Sequence, residues 1–267
     1  MGEWKQYNGG RRWRPLASGQ YEVEGQGVIR TKGAPLTMLY LVREWGEAIE
    51  RAARIADVPR EWVAAMITIE AARQPSRPLR RIWSLARQHV LGAAWRRVFG
   101  SDRAELERRN SLRFDPVSLR LEPGYLNVYD TPGRISASLG QVLYSTALEM
   151  ADEAALELTA RVGDEVIDLS RSPALIFDPQ LCLIVAALYM RHQLDRYAGG
   201  VEGHEFDFVH LTGAYNAGSV KPDKSNPYGL VAYHKWRTDR ALRALNDCHD
   251  PRVVEAWPSA RSGEAAA

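Results

Sequence analysis

A chain of 267 residues, 45% hydrophobic and 25% charged, is long enough to bury a sizeable core, which excludes a stapled mini-domain and a chain too polar to fold. Its formal net charge of +2 is too small for a globally basic surface, although local basic stretches stand out. The two cysteines, Cys182 and Cys248, have no spacing of a disulfide framework or a zinc site, and Cys182, within an apolar run, reads as a small buried hydrophobe.

Residues 1–35 are rich in Gly, Arg and aromatics. A weak alternation around Tyr21, Val23, Val28 and Ile29 predicts a hairpin across Gly25 to Gly27, so this segment is expected as a small irregular or β N-terminal extension. No apolar stretch of a secretory signal opens the chain, and the longest apolar run, Leu181–Met190, is too short to span a bilayer. The expectation is synthesis in the cytoplasm, with no signal peptide and no membrane insertion.

Leu39, Trp45, Ile49 and Ile55 predict a helix over Leu36–Ala56. Asp57 is expected to cap a second helix that has Pro59 in its first turn. Trp62, Val63, Met66 and Ile67 recur at three-to-four-residue spacing, and Glu70 falls four after Met66 and three after Ile67, so its carboxylate continues the apolar face. Burial disfavours the charged form of a carboxylate, which is the setting of a general acid. The plainer alternative is a Glu turned to solvent at a frayed helix end.

Residues 71–120 read as a helical insertion. They contain seven arginines and no acid before Asp102, with Pro75 and Pro78 as breaks and Ile82–Phe99 helical. This positive charge suits an anionic polymer, either acidic cell-wall glycan or nucleic acid; the plainer alternative, a solvated helical hairpin, is preferred. No zinc-finger or phosphate-loop pattern accompanies it. Leu121–Ser138, dense in Pro, Gly, Asn, Asp and Tyr, reads as loop or short extended structure.

Gln141 stands at the mouth of a helix predicted from Val142 to about Leu158. Asp178-Pro179 caps a nearly all-buried helix that ends at Gly199-Gly200. Phe206–Ala217 is a further helix, Gly218–Gly229 a turn-rich break, and Leu230–Leu245 a last amphipathic helix. The main domain is expected to span 36–249, with 250–267 a mobile tail. The six histidines show no paired metal spacing, so neither a metal nor another cofactor is expected.

Four strings, in this order, resemble one superfamily. Ala52–Ala71 resembles the helix that delivers the catalytic Glu in soluble lytic transglycosylases and in goose-type and phage lysozymes. Ser136–Ala151 is similar to the Gly-Leu-Met-Gln segment and its helix, with Gln141 at the Gln position. Leu175–Gly200 resembles the Asp-Pro-led buried helix, and Ala214-Tyr215-Asn216 stands as the Ala-Tyr-Asn motif. Leu121-Glu122-Pro123 and Thr131–Ser136 resemble phage members in particular. The departures are Ala71 where Ser is usual, Ser138 and Gly140 in place of Gly and Met, and a longer interval between Glu70 and Gln141.

The resemblance implies a mainly α, lysozyme-like fold and a glycosidase that cleaves the β-1,4 bond between N-acetylmuramic acid and N-acetylglucosamine of peptidoglycan. Glu70 would be the general acid, with Ser138, Gln141, Tyr215 and Asn216 binding sugar. Glu122 and Asp130 are candidates for a second carboxylate. Without one, a substrate hydroxyl can attack instead, so hydrolysis and transglycosylation stay open. The expected partners are peptidoglycan strands and, for a phage member, virion or tail proteins; the expected site of action is the cell wall, reached by virion carriage or holin release. Two rivals remain: a non-catalytic lysozyme-fold virion or tail component that binds glycan, and a nucleic-acid-binding protein using residues 71–120.

Overall fold

The computed structural model describes residues 2–6, 11–18, 20–29, 36–71, 92–101, 105–106, 113–115, 120–122, 136–153, 159–162, 165–168, 173–201, 203–218, 220 and 231–261. They form a mainly helical protein with a small N-terminal antiparallel sheet. None of the described helices is long and apolar enough to cross a membrane. The chain divides into two compact units, one of residues 1–69 with 189–267 and one of residues 70–188. The contiguous unit therefore reaches well past the insertion expected at 71–120.

In the discontinuous unit, β1 (Trp13–Pro15), β2 (Tyr21–Val23) and β3 (Gly27–Val28) pair antiparallel in that order, with Trp13 opposite Val23 and Glu22 opposite Val28. The hairpin falls where the sequence predicts it. Gly25 and Gly27, at φ 75° and 72°, take the left-handed backbone of its turn. Trp13 and Val23 point inward, while Arg14 pairs outward with Glu22 at 2.6 Å.

Helix α1 (Leu36–Ala56) has the predicted bounds and buries Met38, Leu41, Val42, Ile49 and Ala52. Its end corrects the reading of Asp57. That residue sits at φ 51°, and the Val58 N–H returns to the Ala53 carbonyl at 3.0 Å, which is the left-handed closure of α1 rather than the cap of the next helix. The first bonds of α2 (Arg60–Ala71) go instead to the Pro59 carbonyl, from the N–H groups of Trp62 and Val63. Val63, Met66 and Ile67 are fully buried, each worth about 1.5–3 kcal/mol of apolar transfer. Trp62 packs on Phe208 with ring centroids 5.6 Å apart.

Residues 92–99 are helical in the second unit, and Trp95 and Phe99 form an aromatic core with Tyr144 and Phe177. The rest of the predicted Ile82–Phe99 helix, and the Arg-rich stretch from 72, lie outside the described residues. Strand β4 (Arg113–Asp115) pairs with β5 (Arg120–Glu122), β6 (Ser136–Ala137) with β7 (Val142–Leu143), and β8 (Thr159–Val162) with β9 (Glu165–Asp168), all antiparallel. The helix expected from Val142 is thus corrected. A turn over Ser138–Gln141 folds the chain back so that Val142 and Leu143 pair as a strand, and helix α3 (Tyr144–Glu153) begins only after them.

Helix α4 (Pro179–Arg196) starts as its sequence predicts, with the Asp178 carboxylate accepting the Leu181 N–H at 2.9 Å. Leu181–Ala187 are all buried. Helix α5 (Phe208–Ala217) starts two residues later than expected because Asp207 is its cap, and it packs on α6 (Val231–Asp247).

The segment expected as a mobile tail is helical up to Arg261. In α7 (Pro251–Val254) and α8 (Pro258–Arg261) the chain returns to α1, and Trp257 is buried under the Arg60 guanidinium, 4.6 Å from its ring centroid. Arg60 also pairs with Glu50 at 2.6 Å, and Glu50 accepts the Ser259 hydroxyl at 2.7 Å. Burial of Val253 and Trp257 ties this segment down. Residues 262–267 lie outside the described residues.

Candidate active site

Glu70 is the penultimate residue of α2 and is half-buried, so the enclosure predicted from the apolar stripe is only partial. The helix ends one residue later, and Ile69, just before Glu70, is buried. Hydrogen bonds hold this last turn. The Thr68 hydroxyl donates back to the Ala64 carbonyl at 2.8 Å, and the Arg240 guanidinium donates to the Ile69 carbonyl at 2.9 Å.

Ser138 and Gln141 are brought together as the two ends of the β6–β7 turn. Both have left-handed backbones without being glycine, at φ 55° and 50°. Such a conformation costs a non-glycine residue about 1–2 kcal/mol and persists only where the surroundings over-determine it. The Gln141 side-chain amide donates to the Ser138 carbonyl across the turn, Leu139 is fully buried, and the Gly140 N–H donates to the Cys182 sulfur at 3.4 Å. Burial pushes the Cys182 thiol up to about 11, against the hydrogen bonds from Gly140, Ser138 and Val142, so it is a neutral thiol at neutral pH.

Tyr215 and Asn216 lie in the last turn of α5, in the discontinuous unit. Tyr215 is buried against Tyr189, with centroids 5.2 Å apart, and Tyr189 stacks on His192. Asn216 is exposed, and Gly218 closes the helix at φ 73° with its N–H on the Ala214 carbonyl. The start of α5 is a reciprocal cap. Asp207 accepts the N–H groups of Val209 and His210, meets His210 Nδ1 at 2.9 Å, and receives Lys5 at 3.3 Å. Burial alone would raise the Asp207 carboxyl, but the His210 hydrogen bonds and the charges of His210 and Lys5 outweigh it and hold the group below its usual value.

Of the two candidate second carboxylates, Glu122 ends β5 opposite Arg113 in the strand register, and Asp130 lies outside the described residues. Among the described residues no group of three His, Cys, Asp or Glu side chains could hold a metal ion. Arg240, Cys182 and Tyr189 support candidate residues, yet no sequence motif marks them. Cys182 reads as one more apolar position of α4, and Arg240 as one more charge on an amphipathic helix.

No protein-family model, curated protein or solved structure matches the chain.

Proposed function

We propose that the protein is a lysozyme-like glycosidase cleaving the β-1,4 bond between N-acetylmuramic acid and N-acetylglucosamine of peptidoglycan, with Glu70 as general acid. The observation that carries the reading is the conformation of Gln141. The residue at the Gln position of the motif holds a costly left-handed backbone in a buried, hydrogen-bonded turn, and strain of this kind clusters at binding and catalytic positions. A carboxyl at the end of a buried helix also suits an acid that must protonate a poor leaving group, because the helix fixes its position.

In this mechanism the protonated Glu70 gives its proton to the glycosidic oxygen as the C1–O bond breaks. The oxocarbenium-like muramic acid sugar is then captured either by water or by its own C6 hydroxyl, whose proton returns to Glu70. Gln141 offers both a donor and an acceptor for N-acetyl and hydroxyl groups, with Ser138 at the other end of the same turn, and the motif resemblance gives Tyr215 and Asn216 sugar-binding roles as well. The protein reaches the wall by virion carriage or through a holin lesion.

Digestion of purified cell wall by the wild type and by Glu70→Gln, with fragments identified by mass, tests the reading. Loss of general-acid catalysis is expected to slow cleavage by roughly a hundredfold or more. Glu70→Gln activity within a few-fold of wild type would remove Glu70 as the acid. A wild type that binds wall fragments without cutting them would favour a non-catalytic virion component, the reading that Ala71 and Ser138 motivate.

A further inference from the structure

We infer that Cys182 is a positioning residue: its sulfur, fixed on α4, is the acceptor that holds the Ser138–Gln141 turn in the conformation that presents Gln141. The functional half of this inference rests on the proposed sugar-binding role of Gln141; the structural half rests on the turn alone.

Two left-handed non-glycine residues within four positions need restraint at both ends of the turn. The strand pairs Ala137–Val142 and Ser136–Leu143 supply it from the open side, and the Gln141 amide on the Ser138 carbonyl closes the loop across itself. The tip needs a third restraint. Gly140, at the tip, is buried, and a buried N–H without an acceptor is unfavourable, so where it donates decides which way the peptide faces. It donates to Cys182, 42 positions later in the chain, at 3.4 Å.

Sulfur suits this position because it is large and soft and accepts from several directions. The Gly140 N–H is the contact made to it, so the sulfur addresses the tip of the turn. Cys182 is wholly enclosed and lies in the first turn of α4, where the Asp178 cap and Pro179 fix the helix start. The sulfur is therefore held by a rigid element while the turn leans on it. As a small buried hydrophobe, Cys182 would tolerate replacement by Ala or Val with only a packing loss; as an anchor it would not.

The test uses the full-length chain in three forms, wild type, Cys182→Ala and Cys182→Ser, with Cys182→Val as an apolar replacement close in size should the alanine variant fold poorly. Amide exchange of Gly140 and Val142 is followed by NMR, with the amides of α4 as internal control. Affinity for a tetramer of N-acetylglucosamine and the KM and kcat for wall digestion are measured in parallel. Loss of the acceptor is expected to speed Gly140 exchange roughly fivefold, the factor for one modest hydrogen bond, with the α4 amides unchanged. Tetramer affinity should fall and KM rise by a similar factor at nearly constant kcat, and Cys182→Ser, which keeps an acceptor, should recover part of both. Unchanged Gly140 exchange in the alanine and valine variants would overturn the anchor. Faster exchange with unchanged affinity and KM would overturn the positioning role. A wild type that neither binds the tetramer nor digests wall, with Gly140 exchange still responding, would sink the glycosidase reading and with it the sugar-positioning role, while the anchor stands.

Discussion

The guanidinium of Arg240 donates to the main-chain carbonyl of Ile69 at 2.9 Å, one residue before Glu70. The last carbonyls of a helix lack intrahelical donors, and a cation there also meets the negative end of the helix dipole. Arg240 thus holds the end of α2 from another helix. Arg240→Leu is expected to lower stability by about 1–2 kcal/mol, the loss of one charge-assisted hydrogen bond at a half-buried site. A urea midpoint that falls at constant slope is the expected signature. A midpoint equal to wild type would show the contact to be incidental.

If the protein is the glycosidase proposed above, the products of wall digestion would separate the two captures of the sugar. If Glu122 or Asp130 holds a water on the far face, about 6.5–9.5 Å from the acid, the fragments carry reducing ends. If the C6 hydroxyl attacks, they carry 1,6-anhydro rings and are lighter by one water. On that reading the resemblance to phage lysozymes around Glu122 and Arg134 favours hydrolysis, so reducing ends are expected. A wholly anhydro digest contradicts this, and full activity in the Glu122→Gln, Asp130→Asn double variant removes both as the base.

The C-terminal segment is a structural part of the discontinuous unit. Trp257 is buried beneath Arg60, and Gly46 of α1 approaches Pro258 so closely that an added Cβ would lie 2.8 Å from the proline ring. Trp257→Ala is expected to cost about 3–5 kcal/mol, as for other large-to-small core changes. Gly46→Val is expected to displace α8, and faster proteolysis after Arg261 or Arg252 would report it. Melting temperatures unchanged by both substitutions would contradict this packing.

These contacts show which parts of the molecule are legible in sequence. The bounds of α1 and the Asp178-Pro179 start of α4 follow from periodicity and capping, which act within a few residues. Asp57 is misread because it stands between two helices and the residue type suits both roles; Pro59 opens α2 by itself and leaves Asp57 to close α1. The β6–β7 pair is shorter than any detectable period. Cys182–Gly140 and Arg240–Ile69 join residues 42 and 171 positions apart, so only the fold reveals them. Glu70, Gln141, Tyr215 and Asn216 are legible as candidates through their motifs, but what supports each of them is not.

Acid should loosen the start of α5. Asp207 has a folded pKa below its ordinary value, so its ionised form adds stability that is fully present above that value and lost as pH falls through the folded pKa. Lys5, His210 and the Tyr21 phenol are the other titratable groups acting with it. Asp207→Asn is expected to be less stable than wild type at pH 6 and to approach it as pH falls through the folded pKa of Asp207, because protonation then leaves the wild type without the charge that the variant already lacks. Urea midpoints between pH 2.5 and 7 check this, and a difference that stays constant across the range contradicts it.

The discontinuity of the first unit sets an order of events during synthesis. A nascent chain that has reached Leu188 contains all of the contiguous unit but only the first 69 residues of the other. The Phe208 partner of Trp62, the Trp257 partner of Arg60 and the Arg240 donor to Ile69 have not yet been made. Residues 70–188 can therefore fold on the ribosome while α1 and α2 still expose their apolar stripes, and the first unit closes only once the segments carrying Phe208, Arg240 and Trp257 have emerged. A ribosome stalled soon after Leu188 holds α1 and α2 in the state most open to chaperones and proteases.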